Sequence, residues 1–194
     1  MQNQNNFLAK VLEVYIIESN FSFGNYFYLG VNARNLSMNN NGGLLYVEGE
    51  YLNISNTKFS YGFADVGGAL YFKPKGIMGV IDLKNVTFNS TTTSINKEST
   101  GLGGAIYIDG KDALLNFNIE NSWIMNSFAR FLGGAFYFAT GKYKSNITIQ
   151  YCNFSNTFSP GGSLIYGSLI SKEDGIIIYK HNIYLGTNVV RLNK

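Results

Sequence analysis

The chain has 194 residues, a net charge of +3, 45% hydrophobic residues and 14% charged ones. That length suits one domain with a sizeable core, and the charged share is well below the usual value of about 25%. The weak charge and the lack of a basic run exclude a nucleic-acid-binding stripe, and no run of about 18 apolar residues offers a membrane-spanning helix.

Residues 1–10 read as an N-terminal extension rich in Gln and Asn. They lack the basic start, apolar run and small-residue cleavage site of a secretory leader, so the chain reads as a mature fragment or a piece of something larger. From Phe7 to Tyr15 the apolar residues Phe7, Leu8, Val11, Leu12 and Tyr15 fit a helical face. However, Ile17-Glu18-Ser19-Asn20-Phe21 has the pattern of Ile119-Glu120-Asn121-Ser122-Trp123, which stands among strand signals. Residues 11–17 are therefore expected to form a strand.

A repeat dominates the rest of the chain. Gly42-Gly43-Leu44-Leu45-Tyr46 returns as Gly67-Gly68-Ala69-Leu70-Tyr71, Gly103-Gly104-Ala105-Ile106-Tyr107 and Gly133-Gly134-Ala135-Phe136-Tyr137, with a weaker copy at Gly161-Gly162-Ser163-Leu164-Ile165-Tyr166. The first glycines are 25, 36, 30 and 28 residues apart. The long step holds a polar insertion, Asn89 to Thr100, which reads as a surface loop. Before each Gly-Gly, an aliphatic residue stands four or five positions ahead of an aromatic one: Ile17 and Phe21, Ile54 and Phe59, Leu83 and Phe88, Ile119 and Trp123, Ile149 and Phe154. Asn lies close by at Asn20, Asn56, Asn89, Asn126 and Asn156. These runs are rich in Ile, Val, Phe and Tyr and bounded by turn residues, the signature of strands. Residues 176–190 read as a degenerate repeat without Gly-Gly.

A unit of roughly 25 to 30 residues with two or three short strands cannot bury a face alone, but stacked copies can. The expected fold is all-β: a right-handed parallel β-helix (a β-solenoid) of about six to seven coils. It would be a single domain over residues 11–190 with a C-terminal tail at 191–194. Strand side chains alternate faces. Leu45, Leu70, Ile106, Phe136 and Leu164 then form one inward column, and Val47, Phe72, Ile108, Phe138 and Tyr166 a second. Tyr46, Tyr71, Tyr107 and Tyr137 fall between them and should face outward. The glycine pairs should supply a corner that a Cβ would obstruct.

Repeated Gly-Gly-Ala-[Ile/Leu/Phe]-Tyr with an upstream aromatic residue and Asn resembles the polymorphic outer membrane protein repeat over roughly residues 35–166. The second element of that repeat, Phe-x-x-Asn, is matched by Trp123 with Asn126 but not by Phe59 or Phe88. The resemblance implies a right-handed β-helix of the pectin-lyase-like class, found in bacterial surface adhesins and large protist proteins, and a role in surface display, adhesion or structure.

Candidate chemistry is sparse. The column Tyr46, Tyr71, Tyr107 and Tyr137 could be an exposed rail for a protein or carbohydrate partner. The preferred alternative is a stacking ladder that stabilises the sheet. Seven N-glycosylation sequons occur, at Asn20, Asn35, Asn53, Asn85, Asn89, Asn146 and Asn153; Asn89, in the polar insertion, is the foremost. Asn at equivalent turns could instead bond its neighbours. Glu48 and Asp109 occupy similar turn positions, with Lys73 and Thr140 there in other repeats, so no acid-lined groove is expected. Cys152 is the sole cysteine and reads as a small buried hydrophobe. Trp123 stands in the Phe slot and reads as core. His181 is alone, so no metal site or triad is expected. The reading is of a non-enzyme without cofactor or metal: a structural or adhesive segment of a larger cell-surface or extracellular protein. Its partner would be a protein, or further chain capping the ends, with carbohydrate possible. The alternatives are a polysaccharide-cleaving or carbohydrate-binding β-helix and an intracellular assembly subunit.

Overall fold

A computed structural model describes residues 13–22, 27–29, 41–93, 101–141, 143, 145–161, 164–167 and 175–185. The N-terminal extension, Asn35, most of the polar insertion (94–100) and the C-terminal tail lie outside them. The described residues are strands joined by tight corners, with no helix among them. Of the expected strand over residues 11–17, residues 13–17 are present as β1; residues 7–12 of the helical alternative lie outside the described residues.

The chain first runs through β1 (Glu13–Ile17), β2 (Asn20–Phe21) and β3 (Phe27–Leu29). One circuit then passes through β4 (Leu45–Gly49), β5 (Tyr51–Ser55), β6 (Lys58–Ser60) and β7 (Phe63–Ala64). The next passes through β8 (Leu70–Pro74), β9 (Met78–Lys84), β10 (Thr87–Asn89) and β11 (Thr92–Thr93), and the third through β12 (Ile106–Gly110), β13 (Leu114–Glu120), β14 (Trp123–Met125) and β15 (Phe128–Ala129). Strands β16 (Phe136–Thr140), β17 (Ser145–Gln150) and β18 (Asn153–Ser155) repeat the order, as do β19 (Ile165–Gly167), β20 (Gly175–Lys180) and β21 (Ile183–Leu185). Equivalent strands of successive circuits pair in parallel. Sheet A has the order β1-β5-β9-β13-β17-β20, sheet B β2-β6-β10-β14-β18-β21, sheet C β7-β11-β15 and sheet D β3-β4-β8-β12-β16-β19.

This register builds the core from columns. Ile16, Ile54, Leu83, Ile119 and Ile149 align in sheet A, and Phe59, Phe88, Ile124 and Phe154 in sheet B; all are buried. Phe21, Phe59 and Phe88 stack with centroids 4.8 and 5.0 Å apart. Two expectations move by one residue. Ile16, not Ile17, is the equivalent of Ile54, and Ile17 is exposed. Ile124, not Trp123, fills the aromatic slot, while Trp123 is 44% exposed on the outer face. The corner between sheets A and B explains both. It consists of one residue in the left-handed region followed by one inward residue, so five positions separate the flanking inward residues.

Glu18, Asn56, Asn85, Asn121, Tyr151 and His181 form that column of left-handed residues (φ 49–54°), and Tyr61, Ser90, Asn126 and Asn156 form another after sheet B. Asn accepts this conformation better than most residues, which accounts for Asn56, Asn126 and Asn156 of the recurring Asn residues, whereas Asn20 and Asn89 lie in β2 and β10. The inward corner position carries Ser19, Thr57, Val86, Ser122, Cys152 and Asn182. Ser122 Oγ accepts the Val86 N–H (3.0 Å) and donates to the Glu120 carbonyl (2.8 Å), and Asn182 Oδ1 accepts the Cys152 N–H (2.9 Å). Backbone groups that leave the sheet at the corner thus find partners in the neighbouring circuit.

The two glycines of each pair do different jobs. Gly42, Gly67, Gly103 and Gly133 have φ of 63–68°. Gly43, Gly68 and Gly104 lie against the carbonyl oxygens of Gly68, Gly104 and Gly134, where a Cβ would collide with the next circuit. After Gly133-Gly134 the register shifts: Ala135 N–H donates to the Leu164 carbonyl (2.8 Å), and Phe136, Tyr137 and Phe138 pair with Ile165, Tyr166 and Gly167. Leu164 therefore takes the place of Ala135 and Ile165 that of Phe136, and Tyr166 belongs to the tyrosine column rather than to the inward one.

Candidate contact surface

The tyrosine column exists, but not as an open rail. Tyr46, Tyr71 and Tyr107 are 6%, 6% and 7% exposed, and Tyr137 is half-buried. They do face away from the main core. A second apolar cluster covers them, formed with Val66, Leu102 and Ala139 and flanked by Leu132. Val66, Leu102 and Leu132 precede the second, third and fourth glycine pairs and pair in parallel, Val66 with Leu102 and Leu102 with Leu132; Asn41 holds the place before the first pair. The rings stack from Tyr46 to Tyr166 with centroids 4.7, 5.2, 5.2 and 5.1 Å apart and planes within 3–14°. The expected outward exposure is thus corrected: the loop segment leading into each Gly-Gly folds over the rings, and glycine lets it do so closely. Each stacked pair contributes about 0.5–1.5 kcal/mol beyond its burial.

Two of the phenols end on carboxylates. Tyr46 donates to Glu48 Oε1 (2.9 Å) and Tyr71 to Asp109 Oδ2 (3.0 Å); Lys75 pairs with Glu48 (2.6 Å) and Lys111 with Asp109 (3.8 Å). Burial, then the charge of Asp109, pushes the hydroxyls of Tyr71 and Tyr107 well above the usual phenol range, and burial raises that of Tyr137. Glu48 faces Lys73 across the ladder, and Asp109 faces Ala139 rather than Thr140, which pairs with Gly110. The acids nearest the ladder are therefore held in structural pairs. Among the described residues, no group of three or more His, Cys, Asp or Glu could hold a metal ion, and no helix is long and apolar enough to cross a membrane.

Cys152 is fully buried, and its Sγ donates to the Gln150 carbonyl (3.2 Å). Burial pushes its thiol up to about 11, which opposes nucleophilic use. His181 sits at an exposed corner, stacked on Tyr151 at 5.2 Å. An open depression of about 520 Å³ near β1 and β2 is lined by Tyr15, Ile16, Ile17, Ser19, Asn20, Phe21 and Leu45, none of them an acid or a base at neutral pH.

The sequons divide by environment. Asn20 is exposed on β2. Asn85 and Asn146 are exposed, but their Nδ2 groups donate to Asn56 Oδ1 (3.1 Å) and Asn116 Oδ1 (2.9 Å). Asn53 Nδ2 donates to the Tyr51 hydroxyl (3.2 Å). Asn153 is half-buried in β18. Asn89 is not in a loop: it ends β10, half-buried, and its Oδ1 accepts from Asn126 Nδ2 (2.9 Å). The expected loop does not begin at Asn89, because Thr87–Asn89 and Thr92–Thr93 form β10 and β11; residues 94–100 lie outside the described residues.

The exposed aromatic column lies on sheet C instead. Phe63, Thr92, Phe128 and Phe158 align through parallel pairing. Phe63 and Phe158 are 54% and 43% exposed, and Phe128 stacks on Phe158 at 5.8 Å. Each stands four residues after an inward residue of sheet B (Phe59, Ile124, Phe154), a spacing present in the sequence but hidden by the shortness of these strands.

The described chain is thus an all-β protein of parallel sheets built from stacked repeats. Comparison with protein-family models, with curated proteins and with solved structures finds no match to it.

Proposed function

We propose that the chain is a right-handed parallel β-helix that acts without catalysis, as a rigid display or adhesion segment of a larger cell-surface or extracellular protein. One observation carries the reading: every named sheet is parallel and joins equivalent strands of successive repeats, so side chains recur at a fixed rise of about 4.8 Å along one axis. Parallel crossovers within a sheet are right-handed in about 98% of cases. Such a body holds its outer side chains in fixed columns and suits a long contact surface. The pairing of Glu48 and Asp109 with tyrosine and lysine supports a structural rather than a catalytic use of these acids.

The location is tested by intact mass of the natively produced protein before and after enzymatic removal of N-glycans. A mass loss is expected, with Asn20, the exposed sequon on β2, the first to map. An unchanged mass equal to that of the bare chain sinks the surface reading and leaves an intracellular assembly role.

A further inference from the structure

We propose that the sheet C face is the seam of a two-fold homodimer. The patch comprises Phe63, Phe128 and Phe158 in one column, with Tyr61 and Phe131, two and three residues along the chain from Phe63 and Phe128, at 59% and 51% exposure. Monomeric proteins rarely expose a contiguous apolar patch beyond a few hundred Å². Half-exposed aromatic side chains contribute about 100 Å² each. The patch therefore offers about 500 Å² per copy and about 1,000 Å² in a pair, the lower edge of specific interfaces.

A second copy is the occupant because the centre of the patch, Phe63 and Phe128 about Thr92, is complementary to itself. A two-fold axis through the level of Thr92 exchanges the levels of β7 and β15, since Thr92 pairs with both Phe63 and Phe128. Phe63 of one copy then meets Phe128 of the other, and the short Thr92 of each meets its equivalent. The same operation matches the charges. Asp65 follows Ala64 and Arg130 follows Ala129, and Thr93 pairs with both alanines. Asp65 and Arg130 thus hold equivalent positions in the two exchanged circuits with opposite charge. Each Arg130, exposed, comes to the level of the other copy's Asp65. An isologous interface requires this reciprocity. The dimer depends only on this face, not on the cellular location proposed above.

Sedimentation velocity of the full chain between about 1 and about 100 µM tests it, the range in which a small interface dissociates. A concentration-dependent monomer–dimer equilibrium is expected. Phe63→Ser with Phe158→Ser should abolish it while leaving the circular dichroism spectrum unchanged. Arg130→Glu should weaken dimerisation at least about tenfold, and adding Asp65→Lys should restore it. Ile77→Ser, at an exposed site outside the patch, should have no effect. A monomer at every concentration overturns the proposal, even if the face then binds another protein. So does a dimer that survives the phenylalanine variant or is lost in Ile77→Ser.

Discussion

The second glycine of each pair makes the sharpest test of the stacking, and Gly104→Ala is the variant to make. Gly104 has no special backbone conformation; only Gly42, Gly67, Gly101, Gly103 and Gly133 have positive φ among the described glycines. Its Cβ would run into the Gly134 carbonyl oxygen of the next circuit, with the Phe128 carbonyl carbon 2.8 Å away. Both obstacles are backbone, so no rotamer relieves them. The circuits must separate locally by about 1 Å to restore ordinary contact. Three hydrogen bonds cross that gap: Gly103 N–H to Leu132 O (3.0 Å), Gly104 N–H to Gly133 O (2.9 Å) and Ala105 N–H to Ala135 O (2.9 Å). Weakening all three at about 1 kcal/mol each costs about 3 kcal/mol. That corresponds to a fall in Tm of roughly 6–12 °C for a chain of this size. Thermal and urea melts of Gly104→Ala against wild type measure it, with Thr92→Ala on an outer face as the comparison. Gly103→Ala adds a different cost, about 1–2 kcal/mol for the left-handed conformation on top of its own clash. A loss below about 1 kcal/mol for Gly104→Ala would show that the circuits do not pack at this distance, and the register of the glycine pairs would be wrong.

Other substitutions address other layers. Phe88→Ala empties one end of the Phe21–Phe59–Phe88 stack and should cost about 3–5 kcal/mol in a urea melt. Tyr107→Leu breaks two ring stacks and should cost about 1–3 kcal/mol; it should leave the outer surface unchanged, so an effect on partner binding without an effect on stability would contradict the covered ladder. The Cys152 thiol, raised to about 11 by burial, favours the folded state while it is protonated. That contribution is complete below the unfolded thiol value of about 8.5 and is lost as pH climbs from there to about 11. The tyrosines with raised hydroxyls act in the same direction above about pH 10. Stability should therefore fall from about pH 9 upward, less steeply in Cys152→Ala and Tyr71→Phe. A thiol reagent should label native Cys152 at neutral pH only as fast as the protein opens.

Most of the architecture was legible because the repeat records it in two kinds of residue. Glycine pairs mark the points where circuits touch backbone to backbone, and Asn marks the left-handed corners; both signals act at single residues and survive the drift of everything between them. The outward face was less legible. Alternation correctly sets Tyr46, Tyr71 and Tyr107 on the side opposite the main core, but alternation cannot tell whether another segment lies over that side. Here Val66 and Leu102 do, and their role comes from the glycine geometry rather than from any strand pattern. The exposed phenylalanines of sheet C were missed for the opposite reason: strands of two residues have no period to detect.

Corner geometry also explains why Trp123 misled and Ile124 did not announce itself. From an inward residue of sheet A, the chain passes one outward residue, one left-handed residue, one inward hydroxyl or small residue and one outward residue before the next inward position. Ile54 to Phe59, Leu83 to Phe88 and Ile149 to Phe154 obey this count of five. Between Ile119 and Ile124, Trp123 holds position four, where the side chain must point to solvent. Geometry outranks hydrophobicity at this corner, because a one-residue slip would turn every later side chain of the strand inside out. Trp123→Ser should accordingly cost under about 1 kcal/mol, whereas Ile124→Ala should cost about 2–5 kcal/mol. Urea melts of the two variants measured together decide it: a larger loss at Trp123 would mean that β14 is registered one residue away from Thr87–Asn89, and the count of five would be wrong.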